Sequence, residues 1–429
     1  MLSKVMIVGA GTGGLCLAQG LKQSGIDVAV FERDRTPTDR LQGYRLHISS
    51  NGARALEQCL PAPLFQEFLN SAAKSNQAVN FLDSNLKRLL TFAIVDDPHA
   101  ESREIPVGRI TLRKVLLRGL ENVVNFEKRF QRYEERPDGS VIAYFEDGST
   151  AQGGLLIGAD GASSTIRGQL LPQAKRIETE IVAISGKAPL NDSVRRITPT
   201  EFFAGPTLVL GPGGRFLFGS AVEFPSHDGS TPVGGQSGSP SSDDLMFGER
   251  VEYVMWGFSC RRELFHDFVH LVHAPGDELL KTTLHLMTGW HATLRALIEA
   301  TAPETVTVFE VKSARRMAPW DTGRVTLLGD ALHNMTPYRG MGANMALVDA
   351  DSLRRALLRV HRGESELIPA LHGYEAEMID RGFRAVEASL KQMKQVHSQG
   401  RFANALREFS LRTIDQFPVH LKRTIMQRQ

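Results

Sequence analysis

The glycine-rich turn near the start of the chain constrains its fold more than any other segment. Residues 5–8 are an apolar run, Gly9-Ala10-Gly11-Thr12-Gly13-Gly14 follows, and a second apolar run, residues 28–31, ends at Glu32. In a strand–turn–helix unit, glycines at this spacing allow a tight turn, close approach of a pyrophosphate and close packing of the helix. Helix N-termini favour phosphate, and a carboxylate after the second strand accepts hydrogen bonds from ribose. The segment therefore predicts binding of FAD or NAD, because the acid disfavours NADP.

Length and composition limit the other possibilities. A chain of 429 residues is too long for one compact core and favours two domains. The net charge of +2 gives no reason to expect nucleic acid as a partner. Three cysteines that lie far apart favour neither a disulfide framework nor a zinc site. Without a signal-peptide pattern or a bilayer-length apolar run, we expect a soluble, cytoplasmic protein. No pattern indicates the oligomeric state.

Another apolar run further along the chain, residues 155–158, ends in Ala159-Asp160-Gly161, and the segment 163–167 opens a helix. Asp160 has two interpretations that the residues alone leave open. It can cap the following helix, as aspartate and serine often do. It can also be a second contact to a nucleotide bound at the first turn.

The middle of the chain has a different character. Short alternating segments predict a hairpin over residues 78–95 and a meander over 123–126, 130–134 and 141–145. From about residue 176 to 262 strand-like runs dominate, and a helix is expected near 278–300. Residues 226–247 are rich in Gly, Ser and Pro and bury little apolar surface, which predicts a mobile loop, either a surface insertion or a lid.

A third stretch repeats the chemistry of the first one. The apolar run 325–328 ends in Gly329-Asp330, Pro337 follows, and Gly340-Met341-Gly342-Ala343-Asn344 opens a helix. Again a strand delivers a carboxylate, and glycines place bare backbone N–H groups at a helix start. One long ligand contacted at both ends explains both stretches. FAD, with its ribityl chain and tricyclic ring, needs this additional element, whereas a nicotinamide dinucleotide seldom does.

These stretches together resemble the FAD-dependent aromatic hydroxylases, the single-component flavoprotein monooxygenases typified by p-hydroxybenzoate hydroxylase. The ordered motifs are the first turn with Glu32, Asp160-Gly161 with Arg167, and Gly329-Asp330 with Pro337 and the final glycine turn. Arg109 and Leu112 match the family's Arg-x-x-Leu helix start, whose arginine reaches the cofactor. Met341 replaces the family's usual glutamine, but the turn's backbone amides matter more than that side chain. The resemblance covers the chain to about residue 380.

The resemblance implies an α/β fold: a Rossmann-like FAD-binding domain of the p-hydroxybenzoate hydroxylase type, with an inserted, mostly antiparallel substrate sheet and a C-terminal helix. The FAD-binding domain would be discontinuous, comprising residues 1–75, 99–177 and 305–383. The substrate domain would comprise 76–98 and 178–304. Residues 384–429 would form a basic helical segment, which either packs across both domains or docks on a membrane surface or partner.

The resemblance also implies a reaction. NADH or NADPH reduces the flavin as a transient donor, O2 adds at C4a, and the flavin hydroperoxide hydroxylates or epoxidises an aromatic, sizeable and apolar molecule of the secondary-metabolite kind. Two alternatives stay open, a flavin oxidoreductase of the same fold that does not use oxygen, such as an isoprenoid double-bond reductase, and a non-catalytic FAD-binding protein. The residues predicted to bind the cofactor are Gly9, Gly11, Thr12, Gly13, Gly14, Glu32, Arg33, Arg45, Arg109, Asp160, Asp330, Pro337, Gly340, Gly342, Ala343 and Asn344.

Candidate substrate and catalytic residues are fewer. Phe203, Phe218 and Tyr253 are predicted to line an apolar substrate pocket over the flavin ring. His47 and Tyr338 are the candidates for a general base. The flavin carries the difficult chemistry in this family, so we expect neither a catalytic triad nor a metal ion.

Overall fold

The computed structural model describes residues 3–36, 45–94, 104–225, 248 and 250–417, with side chains throughout except at 401–405. Residues 226–247, predicted to be a mobile loop or a lid, lie outside the described residues. Two large sheets dominate the fold, one parallel and one mostly antiparallel. In the described ranges, no helix is both long and apolar enough to cross a membrane.

The first sheet has five strands, and every neighbouring pair is parallel. Its central strand follows directly from the apolar run at the start of the chain, and it is buried on both faces, as parallel strands usually are. In spatial order the strands are β17 (Val325–Leu327), β11 (Leu155–Gly158), β1 (Val5–Val8), β2 (Val28–Phe31) and β7 (Val124–Asn125).

The second sheet has seven strands and is antiparallel except where β13 runs parallel to β4. Its strands come from two separate parts of the sequence, the predicted hairpin and the segment after residue 175. In spatial order they are β16 (Thr307–Ala314), β12 (Arg176–Pro189), β15 (Tyr253–Arg261), β14 (Phe216–Val222), β13 (Thr207–Leu210), β4 (Ala78–Asp83) and β5 (Arg88–Ala93).

Two small sheets complete the strands. β3 (Arg45–Ile48) pairs with β6 (Ile105–Gly108), and β8 (Phe130–Glu135), β9 (Val141–Phe145) and β10 (Thr150–Gly153) form a meander. The sequence placed residues 123–126 in that meander, which is wrong. Val124 and Asn125 pair with β2 instead, because an apolar residue at the edge of the parallel sheet is buried there.

Fourteen α-helices are described. The predicted helix over residues 278–300 is two helices, Gly276–Leu286 and Ala292–Glu299, separated by a turn in which Gly289 has a φ of +83°. The helices are α1 (Thr12–Gln23), α2 (Ser50–Cys59), α3 (Ala62–Asn70), α4 (Arg109–Leu117), α5 (Thr165–Leu170), α6 (Asp192–Ile197), α7 (Thr200–Ala204), α8 (Phe268–Leu271), α9 (Gly276–Leu286), α10 (Ala292–Glu299), α11 (Asp330–His333), α12 (Gly342–His361), α13 (Leu367–Val396) and α14 (Arg401–Asp415).

Helix α13 is 30 residues long and runs from the parallel sheet to the large sheet. The domain boundary predicted at residue 384 falls in its interior. Its first half packs in the core of the parallel sheet through residues such as Tyr374 and Met378. Near its end, Met393 packs with Ile181 and Val311 of the large sheet. One helix therefore packs against both sheets and helps to fix how they lie relative to each other.

The two faces of the large sheet are covered differently. One face, with Trp256 and Phe258, packs under the helices α9 and α10 in a continuous apolar core. On the opposite face, Phe216 and Phe218 pack with Tyr338, which lies in the turn that precedes α12. We call this second surface the site face. Because side chains alternate along a strand, the site face also carries Tyr253 and Met255 of β15.

Candidate active site

The three glycine-containing stretches converge at the carboxyl ends of β1, β11 and β17, which are neighbours in the parallel sheet. Gly9 has a φ of +110°, and a Cβ there would lie 2.3 Å from the carbonyl oxygen of Ala159. A Cβ on Gly13 would lie 2.5 Å from Leu328, just before the Gly-Asp turn. The backbone contact at positive φ requires glycine at position 9, whereas at position 13 the side chain of Leu328 would have to move. The structure thus brings together the motifs that the sequence could only place in order.

Glu32 lies beside the first turn, as its position after β2 predicts. Its Oε2 accepts a hydrogen bond from the backbone N–H of Ala10 at 2.6 Å, and its Oε1 accepts one from Asp34 at 3.0 Å. Arg113 on α4 lies 3.8 Å from Oε2. A carboxylate has about four acceptor positions, so this buried group is held in place and can still accept from a ribose.

Arg113 and Asp34 are parts of this region that the sequence reasoning missed. Arg113 Nη1 and Asp34 Oδ2 lie 3.4 Å apart, and both residues are buried. Burial is the main cause that raises the pKa of Asp34, and nearby Glu32 adds to it, while Arg113 opposes them. A helical spacing of four from Arg109 could have suggested Arg113. Arg33, predicted to bind the cofactor, is exposed between the two acids.

Asp160 supports the start of α5 together with the N-cap residue Ser164, which agrees with one of the two interpretations left open. Its Oδ2 accepts from the backbone N–H groups of Thr165 at 2.8 Å and Ile166 at 3.4 Å. Its Oδ1 is buried and has no hydrogen-bond partner among the described residues. Chiefly because of burial, the pKa of Asp160 is raised. An unpaired buried oxygen beside Gly9 leaves room for a ligand contact as well.

Asp330 lies near the start of α12, and the charge of Arg109, which is far away in sequence, acts on it. Asp330 is the first residue of α11, and a Cβ on Gly342 would lie 3.8 Å from its Oδ1. The pKa of Asp330 is raised, chiefly by burial, while the charges of His333 and exposed Arg109 oppose the shift. Within the described ranges, no group donates a hydrogen bond to this carboxylate. The predicted Gly-Asp turn therefore presents an acceptor that is available to a ligand.

A buried ion pair behind the Gly-Asp turn was not predicted. His333 Nε2 lies 2.6 Å from Asp349 Oδ2, which also accepts from the N–H of Gly329 at 3.1 Å, and Asp349 Oδ1 accepts from Arg381 at 2.8 Å. Burial alone would lower the pKa of His333, but Asp349 holds it above its usual value. Burial alone would raise the pKa of Asp349, but His333 and Arg381 hold it below its usual value. The cluster joins α11, α12 and α13 beneath the turn.

The turn from Pro337 to Gly342 is exposed or half-buried, in contrast to the core around it. Gly340 has a φ of +61°, and α12 begins without a side-chain cap. The side chain of Asn344 is engaged elsewhere, since its Oδ1 accepts from the N–H of Ser49 at 2.8 Å and its Nδ2 donates to the carbonyl of His47 at 2.7 Å. Asn344 therefore positions β3 beside the turn, and its side chain is not free to bind a cofactor.

Tyr338 belongs to a polar cluster that ties the turn to the site face. Its hydroxyl lies 2.6 Å from His397 Nε2 and 3.0 Å from Ser259 Oγ, while His397 Nδ1 donates to the carbonyl of Gly214 at 2.7 Å. Burial raises the pKa of Tyr338 and lowers that of His397 to about 4. A tyrosine held in this way is a poor general base, so this suggestion for Tyr338 loses support.

Arg45 links β3 to the large sheet. Its Nη1 donates to the carbonyl of Ala221 at 3.1 Å, and its Nη2 donates to Asn76 Oδ1 at 2.7 Å. The Nδ2 of Asn76 lies 3.1 Å from His47 Nδ1. Desolvation lowers the pKa of Arg45 to about 10 and, with Arg45 as a second cause, that of His47 to about 3. Since the guanidinium of Arg45 is committed to this link, its predicted contact to the cofactor has no support in the geometry.

The predicted substrate residues divide between the two faces of the large sheet. Phe218 lies on the site face and is half-buried, as are Met255 and Gly257 next to it, whereas the residues that flank them along the strands are buried. We call Phe218, Met255 and Gly257 the open patch. Tyr253 shares this face but is buried at one end of it. The placement of Phe203 was wrong: it lies on α7 and packs into the core on the opposite face.

Comparison with known proteins identifies the family to which the chain belongs. A family model described as "FAD binding domain" matches residues 3–203 and 277–389. The chain is 30% identical over 367 residues to the FAD-dependent monooxygenase dbaB of Emericella nidulans, covering 82% of this chain and 86% of that protein. The crystal structure of a protein from Photorhabdus luminescens that is named as an FAD-containing monooxygenase has a TM-score of 0.79 and 29% identity, over 92% of this chain and 99% of that one.

A longer relative adds a fact about extent. The dual O-methyltransferase/FAD-dependent monooxygenase elcB of Phaeosphaeria nodorum is 31% identical over 401 residues, which are 88% of this chain and 42% of that protein. The chain thus spans less than half the length of that relative. From the convergent turns, the two sheets and these matches, we conclude that the chain belongs to the FAD-binding-domain family of FAD-dependent monooxygenases.

Proposed function

We propose that the protein is a monooxygenase that uses FAD, NADH or NADPH and O2 to hydroxylate or epoxidise an aromatic, sizeable and apolar substrate. The observation that carries this proposal is the juxtaposition of the Pro337–Gly342 turn with the site face of the large sheet. One side offers backbone N–H groups and an available carboxylate, and the other offers the half-buried open patch. The monooxygenase names of the relatives favour this reading over a reductase or a non-catalytic protein.

The residues at the parallel sheet fit FAD. Around Gly11 there is open space, since a Cβ there would meet no atom within 4 Å, and α1 begins without a side-chain cap. Uncapped N–H groups at a helix start suit a pyrophosphate. The buried acid Glu32 suits the adenosine ribose, and the available carboxylate of Asp330 suits a hydroxyl of the ribityl chain. The residues that we assign to FAD are Gly9, Gly11, Thr12, Gly13, Gly14, Glu32, Arg33, Arg109, Asp160, Asp330, Pro337, Gly340, Gly342 and Ala343.

The contribution of the chain is orientation, electrostatics and exclusion of water. When bound, the flavin supplies hydride acceptance and oxygen activation. The N–H groups of Gly342 and Ala343 would hold negative charge on the ring at its N1 and O2 edge, because a helix N-terminus stabilises anions. Arg109 would offset phosphate charge near Asp330. The open patch would hold an apolar ring against the flavin while the buried residues around it keep water out.

Proton transfer needs no base from this chain in the proposal. Tyr338 is hydrogen-bonded and its pKa is raised, while the pKa of His47 lies far below neutrality. Neither group is suited to accept a proton at neutral pH. An electron-rich aromatic substrate can supply its own activation, as the family resemblance implies.

Oxygen consumption by the purified, FAD-loaded protein separates the three functions. We expect uptake of O2 under NADH or NADPH that rises in the presence of a suitable aromatic compound and that forms a product heavier by one oxygen atom. Oxidation of the nicotinamide without O2 would favour the reductase, and no reaction with any donor would favour the non-catalytic protein. Comparison of the two donors also settles NADH against NADPH. A cytoplasmic location stays a prediction from the sequence.

A further inference from the structure

His47 lies between the Pro337–Gly342 turn, which we assign to the flavin, and the large sheet. Its carbonyl accepts a hydrogen bond from Asn344, the third residue of α12, at 2.7 Å. Side chains alternate along a strand, so His47 and Arg45 project from the same face of β3. Arg45 reaches the carbonyl of Ala221 on β14 of the large sheet. The imidazole of His47 is therefore directed to the side where turn and site face meet.

The tautomer of His47 follows from its neighbours. A guanidinium only donates, so the 2.7 Å contact between Arg45 and Asn76 makes Oδ1 of Asn76 the acceptor and leaves Nδ2 as the donor. That Nδ2 lies 3.1 Å from His47 Nδ1, which must therefore accept and carry no proton. Glu104 Oε2 lies 4.0 Å from the same nitrogen, too far for a hydrogen bond. The proton of the neutral ring is on Nε2.

The Nε2–H of His47 donates no hydrogen bond within the described part of the chain. Nε2 of His47 is buried and has no hydrogen-bond partner among the described residues. Burial and, secondly, the charge of Arg45 lower the pKa of His47 to about 3, so the ring is neutral at physiological pH. A buried donor without an acceptor is costly. The arrangement is explained if a ligand supplies the acceptor.

We propose that the Nε2–H of His47 is a fixed hydrogen-bond donor to a phenolate or carbonyl oxygen of the aromatic substrate. The proposal rests on the proposed function, which places an aromatic ring between the flavin turn and the open patch. Arg45 and Asn76 act as positioning residues, because they set the direction of the donor without contact to the substrate. An aromatic compound without that oxygen leaves the N–H unpaired and is rejected, which makes His47 a specificity residue.

The tautomer is tested on the FAD-loaded full chain labelled with ¹⁵N-histidine. His47 signals are assigned by their loss in His47→Gln, and we expect the Nε2–H form, unchanged from pH 6 to 8. In Asn76→Leu, which removes the donor to Nδ1, a mixture of both tautomers is expected. A protonated ring or an Nδ1–H form in the wild type overturns the proposal, whatever the enzyme catalyses.

Ligand recognition is tested with 1-naphthol and naphthalene, titrated against the flavin absorbance. In His47→Phe we expect 1-naphthol to bind about tenfold more weakly, whereas naphthalene should bind more tightly than to the wild type because no unpaired N–H remains, with FAD content retained. His47→Gln, whose amide can donate, should recover most of the affinity, and His285→Phe, an exposed histidine on α9, should match the wild type.

Wild-type affinity for 1-naphthol in His47→Phe overturns the proposal. Loss of FAD in that variant does so as well, because it places the acceptor on the flavin. If the wild type binds neither probe, the aromatic substrate class fails and this proposal falls with it. That outcome differs from the first two, in which 1-naphthol binds to the wild type and only the role of His47 is refuted.

Discussion

In the proposed function, the two large sheets contribute to the active site in different ways. The parallel sheet uses its carboxyl edge, where the turns after β1 and β17 lead to helices without a side-chain cap and where the carboxylates Glu32 and Asp330 follow β2 and β17. The large sheet uses a face, on which side chains such as Phe218 and Met255 stay half-buried. An edge site depends on backbone geometry and hence on glycines at set spacings. A face site depends on which side chains the sheet directs inward, so it tolerates change and sets specificity.

The largest effect is expected at the first turn, where a matched pair of glycines separates folding from binding. Gly9→Ala places a Cβ 2.3 Å from a backbone oxygen at a φ of +110°, which we expect to cost up to about 6 kcal/mol through strain and overpacking. Gly11→Ala meets open space and should unfold like the wild type in the absence of FAD, but bind FAD at least about tenfold more weakly. Equal unfolding free energies for the two variants in urea would contradict the claim that Gly9 is needed for the fold and Gly11 for FAD binding.

The buried pair behind the Gly-Asp turn should have the next largest effect. Asp349→Asn leaves His333 and Arg381 without their partner, which we expect to lower the free energy of unfolding by about 3–5 kcal/mol. Asp380→Asn on α13, part of an exposed pair with Arg384, is the control and should cost less than about 1 kcal/mol.

The pH dependence of Asp349→Asn follows from the two pKa shifts. The folded pKa of His333 is raised, so its contribution is full below its unfolded pKa of about 6.5 and is lost as pH rises through the folded value. The folded pKa of Asp349 is lowered, so its contribution is full above about 3.9 and is lost as pH falls through the folded value. The gap between wild type and variant should therefore be widest from about pH 4 to 6.5 and narrow in alkali. A constant gap would refute this linkage.

Asp330→Ala tests the edge site by binding alone. Loss of one hydrogen bond to a charged group should cost about 1.5–3 kcal/mol, which is about tenfold or more in FAD affinity. Because the carboxylate has no described donor within the chain, the stability of the FAD-free protein should stay close to that of the wild type. FAD affinity is measured by fluorescence titration, and an unchanged value would move the Gly-Asp turn out of the cofactor site.

The smallest effect is expected on the site face, from a pair of phenylalanines on opposite sides of the large sheet. Phe218→Ala should weaken binding of 1-naphthol by about tenfold, since an apolar contact in a pocket is worth about 1–3 kcal/mol. Phe203→Ala removes a ring on the other side and should leave that affinity unchanged, although it can lower stability. Equal effects on 1-naphthol affinity would mean that the two faces are not distinct in function.

The same contrast explains what the sequence could predict. The turns at Gly9, Asp330 and Gly340 were predictable because each imposes a local backbone demand that few residues satisfy. The inward face of the large sheet was not, because β4 and β5 join it from a distant segment, and sequence alone does not give their register. Phe203 was misplaced because residues 200–204 form a short helix, and the composition of so short a segment does not distinguish a helix from a strand.

The buried polar clusters could not be predicted from the sequence either. His333, Asp349 and Arg381 lie on three helices, so neither periodicity nor spacing joins them. The link from Arg45 through Asn76 to His47 similarly joins β3 to a residue 29 to 31 positions further along the chain. Both clusters exist because packing brings their members together, and a single sequence carries no sign of such long-range pairs.

The central claim is that the two sheets form one active site, with the flavin ring between the Pro337–Gly342 turn and the open patch. A crystal structure of the protein with FAD tests it most directly. We expect N1 and O2 of the isoalloxazine within hydrogen-bond distance of the N–H groups of Gly342 and Ala343, and the substrate side of the ring facing Phe218 and Met255. A ring that lies away from this turn, or that has the large sheet behind it, would contradict the account.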